Sequence, residues 1–152
     1  MIQRKQTLFL LLAVISVIVC LCLPLGQFTA GNALGGSSIM YNLWIVRPDG
    51  VHDFSVWALF AILLVTCPIS LIAIFSYKNR MVQSRFCMFN ILLLLGWYVV
   101  MAAMTLNTKE AAGGFNIFIP SALPAVSMVL HFMARKAILA DEALVRSADR
   151  IR

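Results

Sequence analysis

Two long apolar runs, Phe54–Tyr77 and Phe86–Leu106, are separated by only eight residues, Lys78–Arg85 (KNRMVQSR). Each run approaches the roughly 20 apolar residues that a hydrocarbon core about 30 Å thick requires of a helix. A connection this short returns the chain into the bilayer at once. Lys78, Arg80 and Arg85 make it basic, which holds such a loop on the cytoplasmic side. With this loop inside, every other segment has its side assigned.

Composition agrees with lipid as the main solvent. Of 152 residues 62% are hydrophobic and 12% charged, more apolar surface than a soluble domain of this size can hide from water. A net charge of +6 can signal nucleic acid, but the basic residues flank the apolar runs rather than forming one soluble patch. No nucleic-acid partner is expected. Cys20, Cys22, Cys67 and Cys87 all lie inside or at the edge of apolar runs, so they offer no external disulfide framework. Cys20 and Cys22 have no His or carboxylate beside them to complete a metal site and read as packing thiols.

In chain order, Arg4 and Lys5 precede a first span over residues 7–25, too long for the apolar part of a signal peptide. An outside loop, 26–54, begins with the Gly/Ser/Asn-rich TAGNALGGSS and continues as two apolar strands around Arg47-Pro48-Asp49-Gly50. Pro48 presets φ and Gly50 takes the left-handed position, predicting a small outer-face β-hairpin. Tyr41 and Trp44 suit a membrane interface. The second span, 55–77, carries Pro68, with Thr66 and Ser70 placed to satisfy carbonyls that the proline frees. In the third, 86–106, Gly96 offers a close helix approach while Trp97 and Tyr98 pack between helices. A short loop, 107–116, leads to the fourth span, 117–134, with Pro120 and Pro124 in its first turns.

No Gly or Pro follows Ala125, so one helix is expected to run on into the tail, 135–152. Ile138, Leu144, Val145, Ala148 and Ile151 form its apolar side, and Glu142, Arg146 and Arg150 follow at i, i+4. Leu144, Val145, Arg146 and Arg150 are the candidate partner-docking residues. Of the twelve Lys/Arg, only Arg47 and Lys109 fall outside. The expected fold is an all-α, single-domain, four-span membrane bundle with both termini cytoplasmic, the outer hairpin and a cytoplasmic amphipathic helix.

Chemistry is sparse. No Asp, Glu, Lys or Arg lies in a span, which disfavours ion-coupled transport. Asn90 and His131 both fall about one turn in from the cytoplasmic ends of their spans and form a candidate polar pair. Outside, His52, Asp53 and Asp49 cluster without a completing metal ligand, and Asp53 or Ser55 reads as a turn and helix cap. There is no nucleophile–base constellation or phosphate-cradling loop, so neither enzyme activity nor a cofactor is expected.

The opening MIQRKQTLFLLLA (Met1–Ala13) and the closing DEALVRSADRIR (Asp141–Arg152) resemble a family of small four-span inner-membrane proteins from Bacteroidota, catalogued only as a domain of unknown function. The resemblance implies a bacterial cytoplasmic membrane and the same four-span layout, and it transfers no catalytic residues. The expected function is that of a non-enzymatic accessory or scaffold subunit. Its expected partners are membrane lipids and either a membrane protein or a second copy. The alternative is a small transporter or lipid-binding protein with a groove beside Pro68 and Pro124.

Overall fold

The computed structural model describes residues 3–29, 36–77, 79–107 and 114–149. Four helices account for most of them: α1 (Gln3–Cys22), α2 (Trp57–Phe75), α3 (Arg80–Asn107) and α4 (Leu123–Asp149). Helix α1 has no internal Gly or Pro and stops just before Leu23-Pro24, where the residue preceding proline is pushed out of helical geometry. Ahead of α2, Asp53 accepts from the Ser55 N–H at 3.0 Å and opens a 3-10 turn, Phe54–Val56, that feeds the helix. A second 3-10 turn, Ile119–Ala122, leads into α4, and Pro120 and Pro124 occupy its entry, where a missing N–H is tolerated.

Helix α1 packs on α2 and α4, and α3 packs on the same two, so the four close a ring. Buried polar residues (Ser16, Thr66, Ser70, Asn90, Ser127, His131) face inward. Outward-facing positions are large and apolar: Leu11, Ile15 and Ile18 on α1, Leu64 and Leu71 on α2, Leu92 and Val99 on α3, Val129 and Phe132 on α4. This reverses the pattern of a helix bundle in water. The segments Phe54–Phe75, Arg80–Asn107 and Ile119–Ser147 are long and apolar enough to cross a membrane, whereas the apolar part of α1, Gln6–Cys22, is shorter.

The ring is capped at one end by a small antiparallel sheet of five strands: β1 (Gly26–Phe28), β2 (Ser38–Met40), β3 (Ile45–Val46), β4 (His52–Asp53) and β5 (Phe115–Ile117). Their order is β4-β3-β2-β1-β5. The hairpin at Arg47–Gly50 is part of it, with Ile45 opposite Asp53 and Val46 opposite His52. Gly50 has φ +76°, and its N–H donates to the Arg47 carbonyl at 2.9 Å, closing the turn. The sheet exceeds that hairpin because both segments outside the helices contribute. Gly26–Phe28 pairs on one side with Ser38–Met40 and on the other with Phe115–Ile117, which follows α3. Residues 30–35, the heart of the Gly/Ser/Asn-rich loop, lie outside the described residues.

The underside of the sheet and the adjoining half of the ring share one core, in which Phe28, Met40 and Ile45 meet Leu59, Leu94 and Trp97. A smaller cluster, Leu10, Ala73, Cys87, Ala134 and Ile138, fills the other half.

Three local expectations change. Within the stretch Lys78–Arg85, residues Arg80–Arg85 are helix rather than loop, since α3 starts at Arg80; Arg, Met and Gln are good helix formers, and polarity alone does not end a helix. Gly96 has no neighbour within 4 Å of where a Cβ would stand, so no helix approaches there. Helix α2 continues through Pro68, but the flanking hydroxyls do not bond the Leu64 carbonyl that the proline leaves free. Thr66 donates to Leu63 O at 2.7 Å and Ser70 to Thr66 O at 2.9 Å.

Candidate functional site

Four helices each lend polar atoms to one buried cluster. Asn90 on α3 and His131 on α4 do meet, with Asn90 Nδ2 3.2 Å from His131 Nε2. Ser70 on α2 joins them, accepting from Asn90 Nδ2 at 2.8 Å and lying 3.1 Å from His131 Nε2. The other face of the imidazole fixes its tautomer. Nδ1 lies 2.8 Å from the Ser127 carbonyl, which can only accept, so Nδ1 carries the proton and Nε2 receives from Asn90. Ser127 Oγ then donates across to Ala13 O on α1 at 3.2 Å. Asn90, Ser127 and His131 are fully buried and Ser70 nearly so.

The cluster sits deeper than one turn from the helix end. Because α3 begins at Arg80 rather than Phe86, Asn90 lies ten residues along it, about 15 Å from its start. One atom is left over: Asn90 Oδ1 has no hydrogen-bond partner among the described residues. Ser70 and Ser127 were absent from the candidate pair, since a serine in an apolar run gives no hint of a partner on another helix.

Asn42 was also missed. It stands in the β2–β3 turn, almost wholly buried, where it donates from Nδ2 to Cys20 O at 2.8 Å and accepts from Trp97 Nε1 at 3.3 Å. Its own carbonyl accepts from Phe60 N at 3.1 Å. Cys20 offers one of the last carbonyls of α1 and Phe60 one of the first amides of α2, groups that no helix satisfies by itself. Tyr98 does similar work for α4, donating to Ser121 O at 2.8 Å and accepting from Ala125 N at 3.0 Å.

At the other end, α4 runs past the ring as one helix to Asp149. Leu144 and Val145 are exposed, and Arg146 Nε pairs with Glu142 Oε1 at 3.1 Å. Arg150 and Ile151 lie outside the described residues. Arg80, at the start of α3, ties the extension down: it donates to Asp141 O at 3.2 Å and pairs with the Asp141 carboxylate at 3.5 Å. Beside this tie an open cleft of about 420 Å³ is lined by Asn79, Arg80, Met81, Val82, Glu142 and Val145. A second hollow, about 240 Å³, opens between α3 and α4 at Ile91, Met128, Val129 and Phe132. Neither is lined by Pro68 or Pro124.

A family described as a domain of unknown function, DUF4293, matches residues 2–151. The chain belongs to this family. No curated protein matches it. For this DUF4293 chain the geometry separates two regions of different character. The Asn90–Ser70–His131–Ser127 cluster is closed on all sides by helices and spends its donors internally. The extension of α4 is open, with apolar side chains turned outward beside the cleft.

On the sheet, Asp53 pairs with Arg47 at 2.7 Å and caps Ser55. The Ser55 N–H foremost, opposed by desolvation and helped by Arg47, holds the Asp53 carboxyl below the usual carboxylate value. His52 packs edge-on against Trp44, with ring centroids 5.5 Å apart. Cys20 is buried and Cys22 exposed, so the C-x-C pair does not converge.

Proposed function

We propose that this protein is a four-span protein of the bacterial cytoplasmic membrane, with both ends cytoplasmic, that works as a non-enzymatic accessory or scaffold subunit. The apolar outward face of all four helices supports the membrane reading, because lipid is the solvent in which exposed Leu, Ile and Val carry no cost. It extends to α1, whose 20 residues rise about 30 Å. The excess of Lys/Arg at the termini and the α2–α3 corner supports the orientation.

The observation that carries the subunit reading is the extension of α4. It is tied to the start of α3 by Arg80 yet turns Leu144 and Val145 outward beside a roomy cleft. A solvated helix with no partner gains nothing from exposing two adjacent large aliphatic residues. In the interior, by contrast, the donors of the Asn90–His131 cluster are all bonded within the ring.

The test is purification of the tagged full-length chain in mild detergent, with mass spectrometry of what accompanies it. A stoichiometric protein partner or second copy that is lost in Leu144→Asp/Val145→Asp, with membrane insertion unchanged, supports the reading. Identical recovery from the wild type and the double variant sinks it.

A further inference from the structure

The hollow between α3 and α4 has an apolar lining, formed by Ile91 of α3 with Met128, Val129 and Phe132 of α4. Val129 and Phe132 are about half exposed, so it opens sideways off the ring rather than into it. Along α4, residues three and four apart stack on one face, so the next turn toward the Arg80 end brings Arg135 and Lys136 below Phe132. Lys136 Nζ lies 5.1 Å from the Phe132 ring centroid, at the mouth of the slot. Arg135, on the same helix, lies near Cys87, one turn before Ile91 on α3. Its Nε is buried and has no hydrogen-bond partner among the described residues.

A buried guanidinium N–H without an acceptor is costly, and a phosphate oxygen is the acceptor that suits it best. No Asp or Glu pairs with Arg135 or Lys136 among the described residues. The apolar hollow is therefore followed along α4, one turn on, by two cations. We propose that the α3–α4 slot binds an anionic phospholipid of the cytoplasmic leaflet. An acyl chain lies against Met128, Val129 and Phe132, and the phosphate contacts Arg135 and Lys136. The inference rests on the membrane-embedded reading above and adds to it a site, a ligand class and a leaflet.

The test uses the full chain purified in detergent and titrated with phosphatidylglycerol or phosphatidylcholine, each of the same acyl composition, with retention read by native mass spectrometry. Phosphatidylglycerol should be retained preferentially, at one molecule per chain. Arg135→Gln and Lys136→Gln should each weaken that retention about fivefold, the effect of removing one basic contact near a membrane surface. Val129→Trp fills the slot without touching a charge and should weaken both lipids. Arg47→Gln, on the hairpin at the sheet end of the ring, should leave retention unchanged. Equal retention of the two lipids, or an equal loss in Arg47→Gln, overturns the proposal. Fractionation separates this from the membrane reading: a chain that inserts but shows no lipid preference refutes only the slot, and one that washes off membranes in carbonate refutes both.

Discussion

Asn42 and Trp97, fifty-five positions apart, share a hydrogen bond of 3.3 Å beneath the sheet. Trp97 is wholly buried, and its indole N–H finds its acceptor in a turn rather than in another helix. Since Asn42 also takes up Cys20 O, one side chain joins the sheet, the end of α1 and the middle of α3. Asn42→Ala leaves the Trp97 donor and the Cys20 acceptor buried without partners, at about 1–3 kcal/mol each. The variant should lose about 2–6 kcal/mol, read as a lowered unfolding midpoint in detergent. A midpoint shift of less than about 1 kcal/mol would show that water reaches these atoms.

The cluster at Asn90 should be less sensitive than its burial implies. Asn90→Leu removes two hydrogen bonds, worth about 0.6 kcal/mol each between membrane helices. It also removes the unpartnered Oδ1, whose burial is unfavourable. Ser70 Oγ, 3.1 Å from His131 Nε2, gives its one proton to Thr66 O and can turn it to the imidazole once Asn90 is gone. The net loss should stay under about 1 kcal/mol in an SDS unfolding titration. A collapse of the fold on this substitution would contradict the balance argued here.

Two glycines of the sheet should respond differently to alanine. Gly50 has φ +76° but open space where a Cβ would go, so Gly50→Ala should cost only the left-handed backbone preference, about 1 kcal/mol. At Gly26 a Cβ would stand 2.6 Å from Asn116 O and overlap the Phe115 ring. Gly26→Ala should separate β1 from β5. Hydrogen exchange at the Phe115–Ile117 amides would speed up in this variant and stay unchanged in Gly50→Ala.

Asp53 makes the hairpin base sensitive to acid. Its carboxyl is held below the ordinary value, so its contribution is complete above the unfolded-state pKa, about 3.9, and is lost as pH falls from there through the lower folded value. Exchange at the Ser55 amide should rise over that interval and not between pH 5 and 8. Asp53→Asn should abolish the acid-dependent step.

Hydropathy located the helices because apolar runs this long leave a chain few alternatives to a helix. The Pro-Asp-Gly turn was legible for a similar reason, since Pro48 and Gly50 have restricted or special φ. Asn90 and His131 stood out as the amide and the imidazole within otherwise apolar runs, although α3 begins at Arg80, six residues ahead of the run that holds Asn90. What stayed hidden depends on distant partners. Asn42 lies in a polar segment where an asparagine reads as turn, and Phe115–Ile117 is too short to show a period of two. Ser70 looked like a repair to Pro68, yet it bonds across to α3 and α4.

The place of β5 bears on how the molecule is assembled. Strand β1 directly follows α1, while its neighbour β5 appears only after α2 and α3 have been made. If the helices cross a membrane in turn, Phe28 waits on the far side until Phe115 is delivered there by the third crossing. Such a late, long-range closure is slow to form. The sheet is thus a completion step, and a chain halted before α3 has been threaded would present β1 as an open edge.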